Sequence, residues 1–295
     1  MKIRTVLCPV DFTPLSERAM SLAASVCQCF GARLVLEHNL EPRPPAFLSV
    51  SWMWTGDHGL GDQEKARRGE ERLRETLARL PKDLSREAKL TRGPVDLGLV
   101  ELARQLPADL LVMGSHGRSN AAHASVTERI LDSAPCPVLT IDEETVDGAF
   151  VSLSAGERVP VLVPVDLSAH SRATVTDALE MAAGLPLALH LLHVVRPPVE
   201  KGDFESDRQL LEAFVPADRR GQVEFHLRTG APVDEILKAA KDLGARLILM
   251  GCHPKGIVER FFTGATARDV LHRATCPVWF EPATQERTVG LDAAS

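Results

Sequence analysis

The residues that could do chemistry in this sequence stand at the ends of apolar runs. Asp11 and Asp166 each close such a run with the same three residues, Pro9-Val10-Asp11 and Pro164-Val165-Asp166. Gly114 and Gly251 each follow an apolar run that ends in methionine, Met113 and Met250. A carboxylate in that position either caps the helix that follows, with Thr13 and Ser168 as competing caps, or touches a bound ligand. No lysine or general base nearby completes a hydrolytic set, so neither aspartate is read as catalytic. The chain has 10 histidines. His38 and His193 fall in strand-like runs, and His116 and His253 follow the glycines. No His-x-x-x-His or Cys-x-x-Cys pair anchors a metal. A grouping of Cys252, His253 and His193 is the one metal reading, and packed histidines are preferred to it. Cys8, Cys136 and Cys276 read as small apolar fillers of strands. Cys27 and Cys29 do not share a helix face. Cys252, beside the second glycine, is the best placed of the six for a reactive thiolate.

The elements that must position these groups occur twice. Asp11 and Asp166 are 155 residues apart, and so are His38 and His193. Gly114 and Gly251 are 137 apart, so the second copy is 18 residues shorter in between. The copies close at Cys136-Pro137-Val138 and Cys276-Pro277-Val278. Two domains follow, 1–142 and 159–282, with a polar, small-residue linker at 143–158 and a tail at 283–295 without apolar periodicity. In the first copy the pattern predicts strands over 3–10, 33–38, 85–91, 109–113 and 137–141. Helices are predicted over 15–29, 63–79, 95–105 and 125–133, and the second copy repeats that order. Continuous apolar runs such as 110–113 and 247–250 suit strands buried on both faces. Their alternation with helices means a parallel sheet with right-handed crossovers. Ligands in such sheets sit at the carboxyl ends of the strands. Asp11, Asn39 and Gly114 occupy those ends in the first copy; Asp166, Val194 and Gly251 occupy them in the second.

Composition narrows the function. The chain has 295 residues, a net charge of −6 and 44% hydrophobic residues, enough for ordinary cores. The charge argues against a nucleic-acid binder working through a basic face. No apolar run is long enough to span a membrane, and no secretory signal is read at the N-terminus. Six scattered cysteines suit a reducing compartment, so a cytoplasmic location is expected, without nucleic acid or membrane as partner. The long segment 40–62, with Phe47, Trp52, Met53 and Trp54, reads as a lid packed on its own domain or a surface against a partner.

The sequence resembles the universal stress protein (UspA-like) family, in its tandem form. The residues that carry the resemblance are 9–19, 31–38, 108–119 and 134–141, and again 164–174, 188–195, 245–253 and 275–280. The resemblance implies two Rossmann-like (adenine nucleotide alpha hydrolase-like) α/β domains. Each would be a five-stranded parallel sheet of order 3-2-1-4-5 with helices on both faces. It also implies pairing of the domains through their last strands, 137–141 and 277–281, as an internal pseudo-dimer. Burial of Trp279 and Phe280 at that shared edge would protect it.

Many members of the family bind ATP through Gly-x-x-Gly, nine residues, then Gly-Ser/Thr. The glycines let the backbone close on phosphates, and the next helix offers unpaired N–H groups and its dipole. On this basis the candidate nucleotide residues are Pro9, Asp11, Met113, Gly114, Gly117, Ser125 and Val126 in the first domain. In the second they are Pro164, Asp166, Val194, Met250, Gly251, Lys255 and Gly264. Neither set is complete. In the first domain Ala124 replaces a glycine, Asn39 replaces an apolar base-packing residue, and the loop is three residues short: Gly114 to Cys136 spans 22 positions against 25 from Gly251 to Cys276. In the second, Pro254 replaces a glycine and Ala265 a hydroxyl residue, but the nine-residue spacing is intact. Loop length decides whether a phosphate fits at all, so the second domain is the better candidate. The expectation is a non-enzymatic stress-response protein of binding or regulatory type, with degenerate sites for ATP or ADP and magnesium only as the nucleotide's counterion. A homodimer and a regulatory protein partner fit the same reading. Two alternatives remain: a weak ATP-hydrolysing switch, and an interaction protein with vestigial pockets.

Overall fold

A computed structural model of the chain describes residues 2–40, 61–115, 126–145, 148–198, 203–252 and 264–282. The first domain runs β1 (Thr5–Pro9), α1 (Pro14–Phe30), β2 (Arg33–Leu40), α2 (Asp62–Arg79), β3 (Arg86–Arg92), α3 (Val95–Gln105), β4 (Leu110–Gly114), α4 (Val126–Leu131) and β5 (Val138–Ile141). After α5 (Ala149–Ser154) the second domain follows as β6 (Val159–Val165), α6 (Ala169–Gly184), β7 (Leu187–Val195), α7 (Asp203–Glu212), β8 (Val223–Thr229), α8 (Pro232–Asp242), β9 (Leu247–Cys252), α9 (Ala265–Arg273) and β10 (Val278–Pro282).

The strands form one sheet in the order β3-β2-β1-β4-β5-β10-β9-β6-β7-β8. Each half is therefore a parallel 3-2-1-4-5 sheet, the order that the family resemblance implies. The halves join where β5 and β10 pair antiparallel, with Trp279 opposite Leu139 and Phe280 opposite Val138. Both aromatic rings are buried, and the Trp279 indole N–H donates to Glu281 Oε1 at 2.7 Å. Two apolar cores, one on each face of the sheet, run through both domains across that junction. Burying the last strands against each other removes two exposed edges. On one face the junction is also bridged by charge: Glu128 of α4 meets His272 at 2.8 Å and Arg268 at 3.1 Å on α9.

The helices begin where local chemistry says they should. Thr13 caps α1, accepting from the Ser16 N–H, with Pro14 at the first helical position; Ser168 caps α6, accepting from the Ser171 N–H. The connector between the domains differs from the plain linker read from its composition. It holds α5, whose Phe150 and Leu153 are buried in the core beside α1. Arg246 of the second domain donates to Ser152 Oγ at 2.7 Å. Arg18 donates to the carbonyls of Asp142, Glu143 and Thr145 and so fixes the start of the connector. Among the described residues no helix is long and apolar enough to cross a membrane.

Candidate functional site

Each domain has a cavity at the carboxyl ends of its strands, built from equivalent elements. The wall nearest the first strand is the run from its last proline to the next helix. In the first domain Asp11 Oδ1 accepts from the Thr13 N–H at 3.0 Å and from the Thr13 hydroxyl at 2.6 Å. In the second, Asp166 Oδ1 accepts from the Ser168 N–H at 3.0 Å, its hydroxyl at 2.6 Å, and the Ser171 hydroxyl. The helix caps are thus Thr13 and Ser168, and the aspartates brace the caps. The residue between aspartate and cap, Phe12 or Leu167, is forced to φ 62° or 61°. A bulky side chain in that left-handed region costs on the order of 1–3 kcal/mol, which the bracing hydrogen bonds must hold.

The second strand closes the other side. His38 Nδ1 donates to the Val10 carbonyl at 2.7 Å, and His193 Nδ1 to the Val165 carbonyl at 2.8 Å. These two histidines are clamps between neighbouring strand ends rather than partners of Cys252. The His193 ring also lies near Asp207 of α7, with Nε2 3.6 Å from the carboxylate. In the first domain α2 comes very close to the sheet. A Cβ on Gly69 would stand 3.3 Å from each of His38, Leu40 and Leu90, so glycine sets that approach.

The first cavity, about 390 Å³, gathers Pro9, Asp11, Met113, Gly114 and Val126 from the sequence-derived candidates. The second, about 480 Å³, gathers Pro164, Asp166, Val194, Met250, Gly251 and Gly264. Both volumes lie in the usual range for small-ligand sites, about 300–1,000 Å³. Gly117, Ser125 and Lys255 lie outside the described residues, as do His116, His253 and the segment 41–60 with its tryptophans.

The two cavities differ in chemistry. The second has an apolar slot of Leu192, Val194, Ile236 and Met250, and it reaches the first turn of α9 at Ala265–Ala267. Gly264 stands at the N-cap of the nine-residue α9 and, having no side chain, makes no side-chain cap hydrogen bond to the first N–H groups of that helix. The first cavity has Glu37 where the second has Leu192, and Asn39 where it has Val194. Glu37 is buried and accepts from the Thr91 hydroxyl, which in turn accepts from Asn39 Nδ2 at 2.8 Å. Burial raises the Glu37 carboxyl to about 7, and the Thr91 hydrogen bond only partly opposes it. Asn39 Oδ1 is buried without a hydrogen-bond partner among the described residues. Lys65, Arg68 and Arg72 of α2 line the rim, and the Arg72 guanidinium lies 4.0 Å over the Phe12 ring. Sequence reasoning passed over Glu37, although a carboxylate inside the apolar run Leu34-Val35-Leu36 was a signal that could have marked it.

Cys252 is not the reactive thiol its position suggested. It is the last residue of β9, buried, and burial pushes its thiol far above the ordinary value. Alkylation of native protein with iodoacetamide is expected to spare Cys252, Cys8 and Cys276 and to label Cys29, the one half-exposed cysteine, first. Peptide mapping checks the order; early labelling of Cys252 would contradict its burial.

Two parallel 3-2-1-4-5 sheets, joined through their last strands and carrying one strand-end cavity each, define a tandem doubly wound α/β protein. The chain belongs to the universal stress protein family, whose model matches residues 2–142 and 158–280. A universal stress protein of Thermus aquaticus is 28% identical over 145 residues, 47% of this chain and 98% of that one. One from Mycolicibacterium smegmatis is 23% identical over 291 residues, 92% of this chain and 95% of that one. The crystal structure of a universal stress protein from Archaeoglobus fulgidus has the same fold, with a TM-score of 0.72 at 22% identity, covering 96% of this chain and all of that one.

Proposed function

We propose that the protein is a cytoplasmic, non-enzymatic regulator of the stress response whose second domain holds an adenine nucleotide, ATP or ADP. The observation that carries this reading is the composition of the second cavity. One space joins an apolar slot, the Asp166 carboxylate and the first turn of α9 after Gly264. The base would lie against Leu192, Val194 and Met250, and the phosphates, with magnesium as counterion, would face the α9 amides and dipole. The first cavity supports the vestigial reading for its own half. A purine there would have to pack on Glu37 and Asn39, and above pH 7 it would meet a buried carboxylate. The absence of turnover is supported by Asp166, whose Oδ1 is committed to holding the Ser168 turn. A binding protein of this kind would act through a regulatory protein partner.

Gently purified protein, denatured to release its ligand, is expected to yield ATP or ADP at about one per chain by mass spectrometry. The nucleotide should remain unhydrolysed on incubation. Protein that carries no nucleotide and takes none up from added ATP with magnesium would sink the proposal and leave the interaction reading.

A further inference from the structure

Away from both cavities, the β7–β8 corner of the second domain holds three side chains converging on one point. His190 lies on β7 directly opposite Glu224 on β8, and His226 is two residues further along β8 on the same face. His190 Nδ1 is 3.1 Å from His226 Nε2 and 3.4 Å from Glu224 Oε2, and the last two atoms are 4.0 Å apart. Among the described residues this is the one group of three such side chains close enough to share an ion. Donors about 2.05 Å from a tetrahedral zinc are about 3.3 Å from each other. The triangle already has nearly that size. We propose that His190, Glu224 and His226 form a binding site for a zinc-class divalent cation, with two imidazole nitrogens and one carboxylate as ligands.

Three features favour the site over a chance cluster. Two imidazole nitrogens at 3.1 Å must share one proton when no ion is bound; a cation replaces that proton and uses both lone pairs. The histidines are held by the sheet, while the Glu224 side chain is 71% exposed. An ion therefore has an entry path and a fourth position open to water, as three-ligand zinc sites require. Arg228, the next residue on that face, pairs with Asp242 at 2.8 Å and Glu235 at 3.6 Å, so its charge is offset locally.

The first domain supplies an internal comparison. By strand register the positions of His190, Glu224 and His226 are those of Val35, Glu87 and Lys89. There Lys89 Nζ sits 2.5 Å from Glu87 Oε1. The same carboxylate has a built-in ammonium in one domain and a pair of imidazoles in the other. The lysine charge is replaced by donors that can hold a metal charge in its place. No short motif announces this ligand set, because His190 and the Glu224-x-His226 pair come from different strands.

Zinc titrated into the full chain, followed by calorimetry, tests the site. One equivalent is expected to bind, and cobalt in its place should give the intense visible bands of a tetrahedral nitrogen-ligated ion. His226→Ala should weaken zinc by at least about 100-fold, more than loss of a group outside the ligand set. Glu224→Gln, on a side chain too exposed to affect folding, should weaken it about tenfold. Wild-type protein that binds no zinc at micromolar concentration would overturn the proposal. So would binding whose affinity is the same in wild type, Glu224→Gln and a folded His226→Ala protein, since the ion would then sit elsewhere.

Discussion

Replacing Glu37 by glutamine is expected to stabilise the protein above pH 7 and to change little below pH 4.5. The Glu37 carboxyl is buried at the inner end of the first cavity, and burial raises it from an ordinary 4.5 to about 7. Below pH 4.5 the group is protonated in folded and unfolded chains alike, so it contributes nothing. Between pH 4.5 and about 7 the unfolded chain loses the proton first, and stability falls as pH rises. Above 7 the penalty is complete, on the order of 3 kcal/mol. Glutamine keeps the acceptor oxygen for the Thr91 hydroxyl and carries no charge. Its melting temperature at pH 8 should therefore exceed wild type by roughly 5 °C, with the two curves meeting near pH 4.5. Curves that run parallel across the whole range would show that Glu37 is not held out of water as described.

Truncation of Trp279 to alanine is expected to be the most damaging single change at the domain junction. The ring is fully buried at the centre of the ten-stranded sheet, between Leu139 of β5 and Leu249 of β9. Large-to-small changes of this kind cost about 3–5 kcal/mol through lost transfer energy and the cavity left behind. The indole N–H that meets Glu281 is lost as well. A fall in melting temperature of roughly 5–8 °C follows. The change also hollows one of the two cores that the halves share, so unfolding of the chain is expected to broaden or split as the domains uncouple. Calorimetry reads both effects. A loss below about 1 kcal/mol with a sharp transition would mean that the β5–β10 pairing does not couple the domains.

The fold was legible because its signals are repeated and apolar. The duplication and the strand–helix alternation follow from the paired Pro-Val-Asp runs, the two strand-two histidines and the continuous runs at 110–113 and 247–250, while the strand order is what the family resemblance implies. What stayed hidden depends on register or on local backbone. The connector reads as polar linker by composition, yet Phe150 and Leu153 turn inward and make α5 part of the core. Nothing in Asp-Phe-Thr or Asp-Leu-Ser announces a left-handed Phe12 or Leu167; the aspartate bracing that enforces it appears only with the turn folded. The candidate cavity residues were found because glycine, methionine and aspartate stand at strand ends. Glu37 was missed because one charge in an apolar strand looks like an alternating outer face until β3 covers it. His190, Glu224 and His226 were missed because their meeting needs the β7–β8 register.

The same register suggests how the two halves diverged. Equivalent positions carry different chemistry: Glu37 against Leu192, Asn39 against Val194, Lys89 against His226. One domain has an apolar slot and the longer loop, the other a polar slot and a loop three residues shorter.

We propose that the second cavity, and not the first, takes the nucleotide. Calorimetric titration of ATP with magnesium into two variants at equivalent positions, Val194→Glu and Asn39→Glu, tests it most directly. A carboxylate at Val194 puts an uncompensated charge into the base slot, while one at Asn39 changes a slot that is already polar. Saturable binding of one nucleotide per chain, kept in Asn39→Glu and abolished in a folded Val194→Glu protein, is the expected result. Binding abolished by the Asn39 change and kept by the Val194 change, or no binding in wild type, would contradict it.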